Sequence, residues 1–182
     1  MRLITITGPS GAGKDTVARM LSDMTDWPVI CSYTTRPMRE GEQEDREHHF
    51  VKECNVPHSE MLAYTQYGGY EYWTTKEQVE GTAIYVIDEK GLYELKNSRP
   101  EIEVYSIYIM SDMTGRLARG VKLSRLQRDI ERFKTAPYIK YDGRIYNRYG
   151  KSFDDLRFDV AKILLRMPFV ESTLNILDED EK

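Results

Sequence analysis

A glycine-rich run near the start of the sequence has the residue types and spacing that bind a phosphate group. Residues 8–14 read GPSGAGK, which satisfies the pattern G-x-x-x-x-G-K, and they stand between an apolar run at 3–7 and a helical pattern from Lys14. Glycines let successive backbone N–H groups converge on one anion, while the lysine adds a mobile positive charge beside it. We therefore predict a nucleotide-phosphate site formed by Gly8, Ser10, Gly11, Ala12, Gly13, Lys14, Asp15 and Thr16.

The residues after Lys14 bear on how a metal ion would be held. Where such a loop usually has a hydroxyl, the sequence has Asp15, followed by Thr16. Asp15 could ligate Mg²⁺, because that ion prefers oxygen ligands, or it could cap the helix and leave the metal to Thr16. Asp88 ends another apolar run, at the sheet edge where ligands bind, and it could hold the metal, contact the acceptor or cap the next helix.

Two groups of arginines could bind phosphate groups. Arg36 and Arg39 lie three residues apart, and guanidinium groups bind phosphate oxygens bidentately. A charged stretch at 116–134, predicted to be helical, could close over a γ-phosphate or, as an alternative, bind RNA. Its arginines include Arg116, Arg119, Arg125 and Arg128.

The apolar pattern predicts the elements that position these residues. Short aliphatic runs, typical of buried parallel strands, occur at residues 3–7, 27–33, 83–87, 104–110 and 144–146. Helical spacing follows them at 14–24, 91–96, 116–134 and 153–166. Strands that alternate with helices indicate an α/β fold, here of the P-loop NTPase type, with three αβα layers around a parallel central sheet.

The segment between residues 34 and 81 differs from the rest of the chain. It is polar, rich in tyrosine and glycine, and lacks long helical periodicity, so we predict an inserted, mostly β flap. Residues 1–182 are then one domain, with a core at 1–33 and 82–182, the insertion at about 34–81 and a helical lid at about 112–135.

Composition narrows the class of protein. The net charge of −4 argues against sequence-independent binding to long nucleic acid, including the RNA alternative. No apolar run approaches the roughly 20 residues of a membrane span. Cys31 and Cys54 are the only cysteines, so no disulfide framework is expected. We expect a cytoplasmic protein, a monomer or homodimer, with neither nucleic-acid nor membrane partners.

Residues 32–42 read SYTTRPMREGE, and with the GPSGAGK loop upstream the chain resembles the guanylate kinase family, whose pattern here is S-x-T-T-R-x-x-R-x-G-E. The similarity continues through residues 49–51, 72–75, 87–91, 116–128 and 141–147. The resemblance implies a single kinase domain that transfers the γ-phosphate of ATP, with Mg²⁺ as cofactor, to a small nucleotide, with GMP or dGMP as the expected acceptor.

The resemblance also implies roles for individual residues and segments. The candidate catalytic residues of the lid are Arg116, Arg119, Arg125 and Arg128, and the insertion would bind the acceptor. The acceptor phosphate would be bound by Arg36, Arg39, His48 and Tyr72, with His48 standing where the family has a tyrosine. The acceptor base would be touched by Ser32, Thr74 and Asp88, and Asn147 would lie near the base or ribose of the donor nucleotide. Residue 63, where the family has a guanine-reading carboxylate, is Ala63, and Trp73 replaces a family glycine as a possible stacking or blocking surface.

Several alternatives stay open at this point. Within kinases, the acceptor could be ribose 1,5-bisphosphate or another ribo- or deoxyribonucleoside monophosphate, because Ala63 removes the expected reader of guanine. Outside enzymes, related folds serve as binding modules for phosphorylated peptides, although their phosphate loops are typically degraded. A zinc site formed by His48, His49, Cys54 and His58 is a further alternative, but their spacing fits no standard ligand pairing.

Overall fold

The computed structural model describes residues 1–46, 48–133 and 140–170. In chain order its elements are β1 (Arg2–Thr7), α1 (Lys14–Thr25), β2 (Tyr33–Thr34), β3 (His49–Phe50), β4 (Met61–Tyr67), β5 (Tyr70–Thr75), a short 3₁₀ helix (Lys76–Gln78), β6 (Thr82–Val86), α2 (Glu89–Ser98), β7 (Glu103–Met110), α3 (Met113–Ala118), α4 (Leu123–Arg132), β8 (Gly143–Tyr146) and α5 (Phe153–Leu164). None of the helices in these ranges is long and apolar enough to cross a membrane.

A parallel sheet of four strands, in the order β6-β1-β7-β8, forms the centre of the molecule. Its strands are apolar on both faces because both faces are covered by helices. Ile4 and Ile6 pack with residues of α1 and α5 on one face, whereas Leu3 packs with Leu92 and Leu95 of α2 on the other. The predicted three-layer α/β fold with a parallel central sheet is confirmed.

A second, smaller sheet lies between α1 and β6 in the chain. Its strand order is β3-β2-β5-β4, with β2 parallel to β3 and antiparallel to β5. In the register Thr34 is paired with Tyr72, and Ala63 with Thr74. Since alternate residues of a strand point to opposite faces, Tyr72 and Thr74 share one face of this sheet and Trp73 belongs to the other.

The predicted strand at residues 27–33 is wrong in its extent. Val29 forms an isolated parallel bridge with Ile84, through hydrogen bonds from the Ile30 N–H to the Ile84 carbonyl and from the Ile84 N–H to the Pro28 carbonyl, both 2.8 Å long. Pro28 has no N–H to extend the ladder. The chain then leaves the central sheet, and Tyr33 enters β2 of the second sheet.

The single helix predicted for residues 116–134 is also wrong. The chain forms two helices, α3 and α4, that are separated by a turn at Gly120. Gly120 has a φ of +81°, a left-handed conformation that ends a helix and that glycine adopts without strain. Lys134 lies outside the described residues.

Candidate active site

The phosphate loop joins the end of β1 to the start of α1. Gly13 stands at the helix N-cap with a φ of 97°, and a Cβ there would lie 2.6 Å from the Asn147 amide nitrogen. A Cβ on Gly8 would lie 2.6 Å from the backbone carbonyl oxygen of Ile109 in β7. Glycine is therefore required at both positions, and the positive end of α1 faces the loop.

The residues that follow this turn carry the charges of the loop. The Lys14 ammonium donates to the Pro9 carbonyl at 3.2 Å, and the Ala12 N–H donates to the same oxygen at 3.1 Å. Asp15 and Thr16 are exposed in the first turn of α1. Their oxygen atoms are of the kind that Mg²⁺ prefers, so this donor set suits the ion.

Three consecutive carbonyl groups of the loop are held by side chains from other elements. Arg116 donates through Nε to the Ser10 carbonyl at 2.8 Å, and Arg119 donates through Nε to the Gly11 carbonyl at 2.7 Å. Asn147 completes the set, since its side-chain amide donates to the Ala12 carbonyl at 2.8 Å. Three residues expected to contact the nucleotide thus contact the loop itself.

The remaining lid arginines lie on α4. Arg125 donates to the Ser10 hydroxyl at 3.2 Å, so it also reaches the phosphate loop. Arg128, one turn further along the helix, is exposed. Asp129, on the same helix, is buried, accepts the Ser10 N–H at 2.8 Å and pairs with Arg116.

Glu42 organises the arginine pair of residues 36–39. Arg36 is only 5% exposed, and its guanidinium donates to both carboxylate oxygens of Glu42, at 2.8 and 3.0 Å. The same carboxylate accepts the backbone N–H of Arg39 at 2.7 Å. The side chain of Arg39 is half-exposed, so it is the more accessible of the two guanidinium groups.

His48 lies on the same face of the second sheet as Tyr72. Its Nδ1 is 2.8 Å from the Ser32 hydroxyl, and its ring contacts the Tyr72 ring edge-on, with centroids 5.7 Å apart. Burial, together with the positive charge of Arg36, lowers the pKa of His48 below its usual value. The imidazole is therefore neutral at pH 7, with Ser32 as the hydrogen-bond partner of one nitrogen.

The residues expected to read the acceptor base are largely occupied by other contacts. Thr74 is fully buried, and its hydroxyl donates to the phenolic oxygen of Tyr85 at 3.2 Å. Ala63 is the cross-strand neighbour of Thr74. Trp73 is 2% exposed and stacks on Tyr33, with centroids 5.6 Å apart, on the face opposite to Thr74. It is therefore buried away from the face that carries Tyr72.

Asp88 caps α2, as one of the alternatives for this residue anticipated. Its Oδ1 atom accepts the Gly91 N–H at 2.7 Å, in the geometry of an N-cap. It follows β6 at the carboxyl end of the central sheet, the edge at which β1 also enters the phosphate loop. The roles predicted for Asp88 in binding a metal or an acceptor base remain predictions.

Charges at the start of α1, in the arginine pair and on α4 affect the pKa values of residues in the site. Burial and the charges of Arg36 and Arg125 lower the pKa of Arg39, so a residue of α4 acts on the arginine pair electrostatically. The charge of Asp15 in turn raises the pKa of His48, against the larger effect of burial. Arg39 and His48 are therefore influenced by charges on α4 and at the start of α1, as well as by charges of their own segment.

The four candidate zinc ligands face different partners. His48 is bonded to Ser32, and the Nδ1 of His49 is 2.6 Å from an Asp45 carboxylate oxygen. Across the ranges that the structure describes, no three of His48, His49, Cys54 and His58 bring their ligand atoms together. The zinc alternative therefore has no geometric support among those residues.

Sequence reasoning missed three residues of the site. Glu42 stands inside the arginine motif, where an acid three residues after Arg39 could have indicated an ion pair. Asp129 is an acid within an arginine-rich helix, and Tyr85 is a polar side chain within an apolar strand. Because buried polar side chains are hydrogen-bonded or ion-paired, a specific partner could have been expected for Asp129 and for Tyr85.

Comparison with known proteins agrees with this geometry. The family model described as guanylate kinase matches residues 1–142, and the chain belongs to the guanylate kinase family. A curated guanylate kinase of Fusobacterium nucleatum is 33% identical over 109 residues, which cover 54% of this chain and 59% of that relative, less than two thirds of its length.

Two further relatives cover more of the chain. A guanylate kinase of Vibrio vulnificus is 28% identical over 172 residues, covering 87% of this chain and 82% of that protein. The crystal structure of a guanylate kinase from Anaplasma phagocytophilum superposes with a TM-score of 0.63 at 22% identity, over 88% of this chain and 82% of that one. At that identity the superposition supports the fold alone.

Proposed function

We propose that this protein is a guanylate kinase that transfers the γ-phosphate of ATP to GMP or dGMP, forming ADP and the corresponding diphosphate. The observation that carries the proposal is that two groups of residues suited to bind phosphate are linked by Arg125, which donates to Ser10 of the loop and whose charge lowers the pKa of Arg39. One is the glycine loop with Lys14, and the other is the cluster of Arg39, His48 and Tyr72 around the buried Arg36. A transfer between two phosphorylated substrates requires such a pair of sites.

The proposed chemistry is an in-line displacement. A phosphate oxygen of GMP attacks the γ-phosphorus, the bond to the β-phosphate oxygen breaks, and ADP leaves. The attacking oxygen is already anionic, so no strong general base is required. Lys14 would neutralise charge on the donor phosphates, Arg36 and Arg39 would orient the acceptor, and Arg125 and Arg128 would approach the transferred group from α4.

Magnesium fits the residues at the start of α1. Asp15 and Thr16 present exposed oxygen atoms beside Lys14, and they would hold the ion, with Asp88 as a further candidate. When bound, Mg²⁺ would neutralise the oxygens of the donor phosphates.

The division of the chain follows the same proposal. The second sheet, within about residues 34–81, would act as the acceptor flap, and α3 and α4, within about 112–135, as the lid, while the rest forms the core of one kinase domain.

Neither Cys31 nor Cys54 is in a disulfide, which is consistent with a reducing cytoplasm. A monomer or a homodimer would serve this chemistry equally.

Direct identification of the products tests the proposal. The purified protein would be incubated with ATP, Mg²⁺ and GMP, and the nucleotides would be separated by ion-exchange chromatography. We expect GDP and ADP to appear in equal amounts, with little ADP in the control without GMP. ADP formed with free phosphate, or no ADP at all, would overturn the assignment.

A further inference from the structure

Asp129 is a buried carboxylate that lies against the phosphate loop. It belongs to α4 and is 3% exposed, a degree of burial that acidic side chains rarely reach unless they are paired. Its Oδ2 atom accepts the backbone N–H of Ser10 at 2.8 Å and forms an ion pair with Arg116. A negative charge is thus held against a loop whose expected ligand is itself strongly negative.

Arg116, Ser10 and Asp129 form a closed ring of interactions. Arg116 donates to the Ser10 carbonyl at 2.8 Å and to the Asp129 carboxylate, while the Ser10 N–H donates to that same carboxylate. Both charged side chains are buried, so solvent and salt screen their attraction weakly. Through this ring, one carboxylate connects α3, α4 and the phosphate loop.

The ring fixes the direction of a peptide group in the loop. In a planar trans peptide the C=O and the following N–H point in opposite directions. Holding the Ser10 carbonyl on Arg116 therefore directs the Gly11 N–H away from Arg116. Arg119 and Asn147 hold the next two carbonyls of the loop in the same manner. Donors that are fixed before the ligand arrives are what a preorganised anion site requires.

We propose that Asp129 is a positioning residue for the phosphate loop, which keeps Arg116 on the Ser10 carbonyl so that the loop is ready for the phosphates of ATP. The inference rests on the proposed function for its ligand, a nucleotide polyphosphate, and does not depend on which acceptor is used. A rival account is purely electrostatic: a carboxylate beside the loop repels the phosphates and weakens their binding. The two accounts predict opposite results when the charge is removed.

The test is the affinity of the Asp129→Asn variant for ADP in the presence of Mg²⁺, measured by isothermal titration calorimetry. Positioning by Asp129 predicts binding about 10- to 100-fold weaker than in the wild type, the loss expected for one charge-assisted hydrogen bond. Equal or tighter binding would overturn the proposal. Glu131→Gln is the matched control, because it removes the same charge from an exposed position on the same helix, and its affinity should stay at the wild-type value.

A thermal unfolding measurement separates positioning from a role confined to folding. If Asp129→Asn lowers the Tm but the folded variant binds ADP normally, the proposal is wrong. If that variant does not fold, the double variant Arg116→Gln with Asp129→Asn removes both charges and avoids an unpaired buried ion. It should fold and bind ADP about 10- to 100-fold more weakly, since the Ser10 carbonyl has lost its guanidinium donor. Wild-type affinity in the double variant would contradict the proposal.

Failure of the proposed function would look different. A wild-type protein that binds ADP but does not phosphorylate GMP would refute the guanylate kinase assignment, while the comparison of ADP affinities between the wild type and the Asp129 variants would still decide the role of Asp129.

Discussion

The Glu42 carboxylate accepts both arms of the Arg36 guanidinium, at 2.8 and 3.0 Å. Burial alone would raise the pKa of Glu42, but the hydrogen bonds from Arg36 and from the Arg39 backbone outweigh it and lower the pKa, so the carboxylate is charged at neutral pH. Glu42 therefore orients one arginine and fixes the backbone of the other. The acceptor phosphate would meet a pair of arginines whose geometry is set by an acid.

We expect Glu42→Gln to raise the KM for GMP about tenfold, with a smaller effect on kcat, because the amide holds the Arg36 fork less firmly than the carboxylate. Steady-state kinetics with GMP as the varied substrate measure both constants. Glu40→Gln, an exposed acid in the same segment, is the control and should behave as wild type. A KM for GMP that does not change in Glu42→Gln would show that the ion pair does not position the acceptor.

Lys14→Ala should reduce kcat about 100- to 1,000-fold, since the loop loses the positive charge that we propose stabilises the donor phosphates in the transition state. Thermal unfolding should show a Tm close to that of the wild type. Lys90→Ala removes an ammonium group from an exposed position on α2 and should leave kcat unchanged. Near-normal turnover in Lys14→Ala would rule out the proposed mechanism.

Acceptor binding should depend on pH through His48. Its pKa is lowered by burial and by Arg36, so the imidazole is neutral in the free protein at pH 7, while a bound phosphate dianion favours the protonated form. Binding then takes up a proton, and the KM for GMP should fall as the pH is lowered from about 8 to about 6.5, by at most about tenfold per pH unit. Initial rates at a series of GMP concentrations and pH values measure this dependence.

His48→Tyr provides the comparison for that experiment. A phenol donates a hydrogen bond without titrating in this range, so the variant should show a flatter dependence of the KM on pH. What remains in the variant reports the titration of GMP itself, in the field of the charged groups that face position 48, namely Arg36, Glu42 and Asp15. Identical profiles for the two proteins would exclude His48 as the group that takes up the proton.

Tyr85→Phe should lower the free energy of unfolding by about 1 kcal/mol, because the buried Thr74 hydroxyl loses the oxygen to which it donates. Burial raises the pKa of Tyr85, so the phenol is neutral and the change removes a hydrogen bond without removing a charge. Urea denaturation measures the difference. Tyr93→Phe, at an exposed position on α2, should leave the stability unchanged, and an equal loss in both variants would contradict this assignment.

The parts of the molecule that depend on local patterns could be predicted from the sequence. The glycine loop, the apolar strands β1, β6 and β7, and the closing helix α5 each carry their signal within a short run of residues. The prediction of a central-sheet strand at residues 27–33 is wrong because β-forming residues give the same local pattern in either sheet. Its departure from the central sheet is a tertiary outcome that local propensity does not contain.

The contacts within the site could not be predicted in the same way. Arg116 and Arg119 lie more than 100 positions from the loop carbonyls that they hold. A basic residue in the lid can contact either a phosphate or the loop that binds it, and the sequence does not distinguish these two contacts. Partners such as Asp129 and Ser10 become visible only when distant segments are brought together.

The most direct test of the account is the initial rate of ADP release with saturating ATP and Mg²⁺ and a panel of acceptors. The panel comprises GMP, dGMP, AMP, CMP, UMP, dTMP and ribose 1,5-bisphosphate at equal concentrations. We predict that GMP or dGMP gives the highest rate, despite the alanine at position 63. A higher rate with any other acceptor, or no stimulation of ADP release by any of them, would contradict the assignment of this protein as a guanylate kinase.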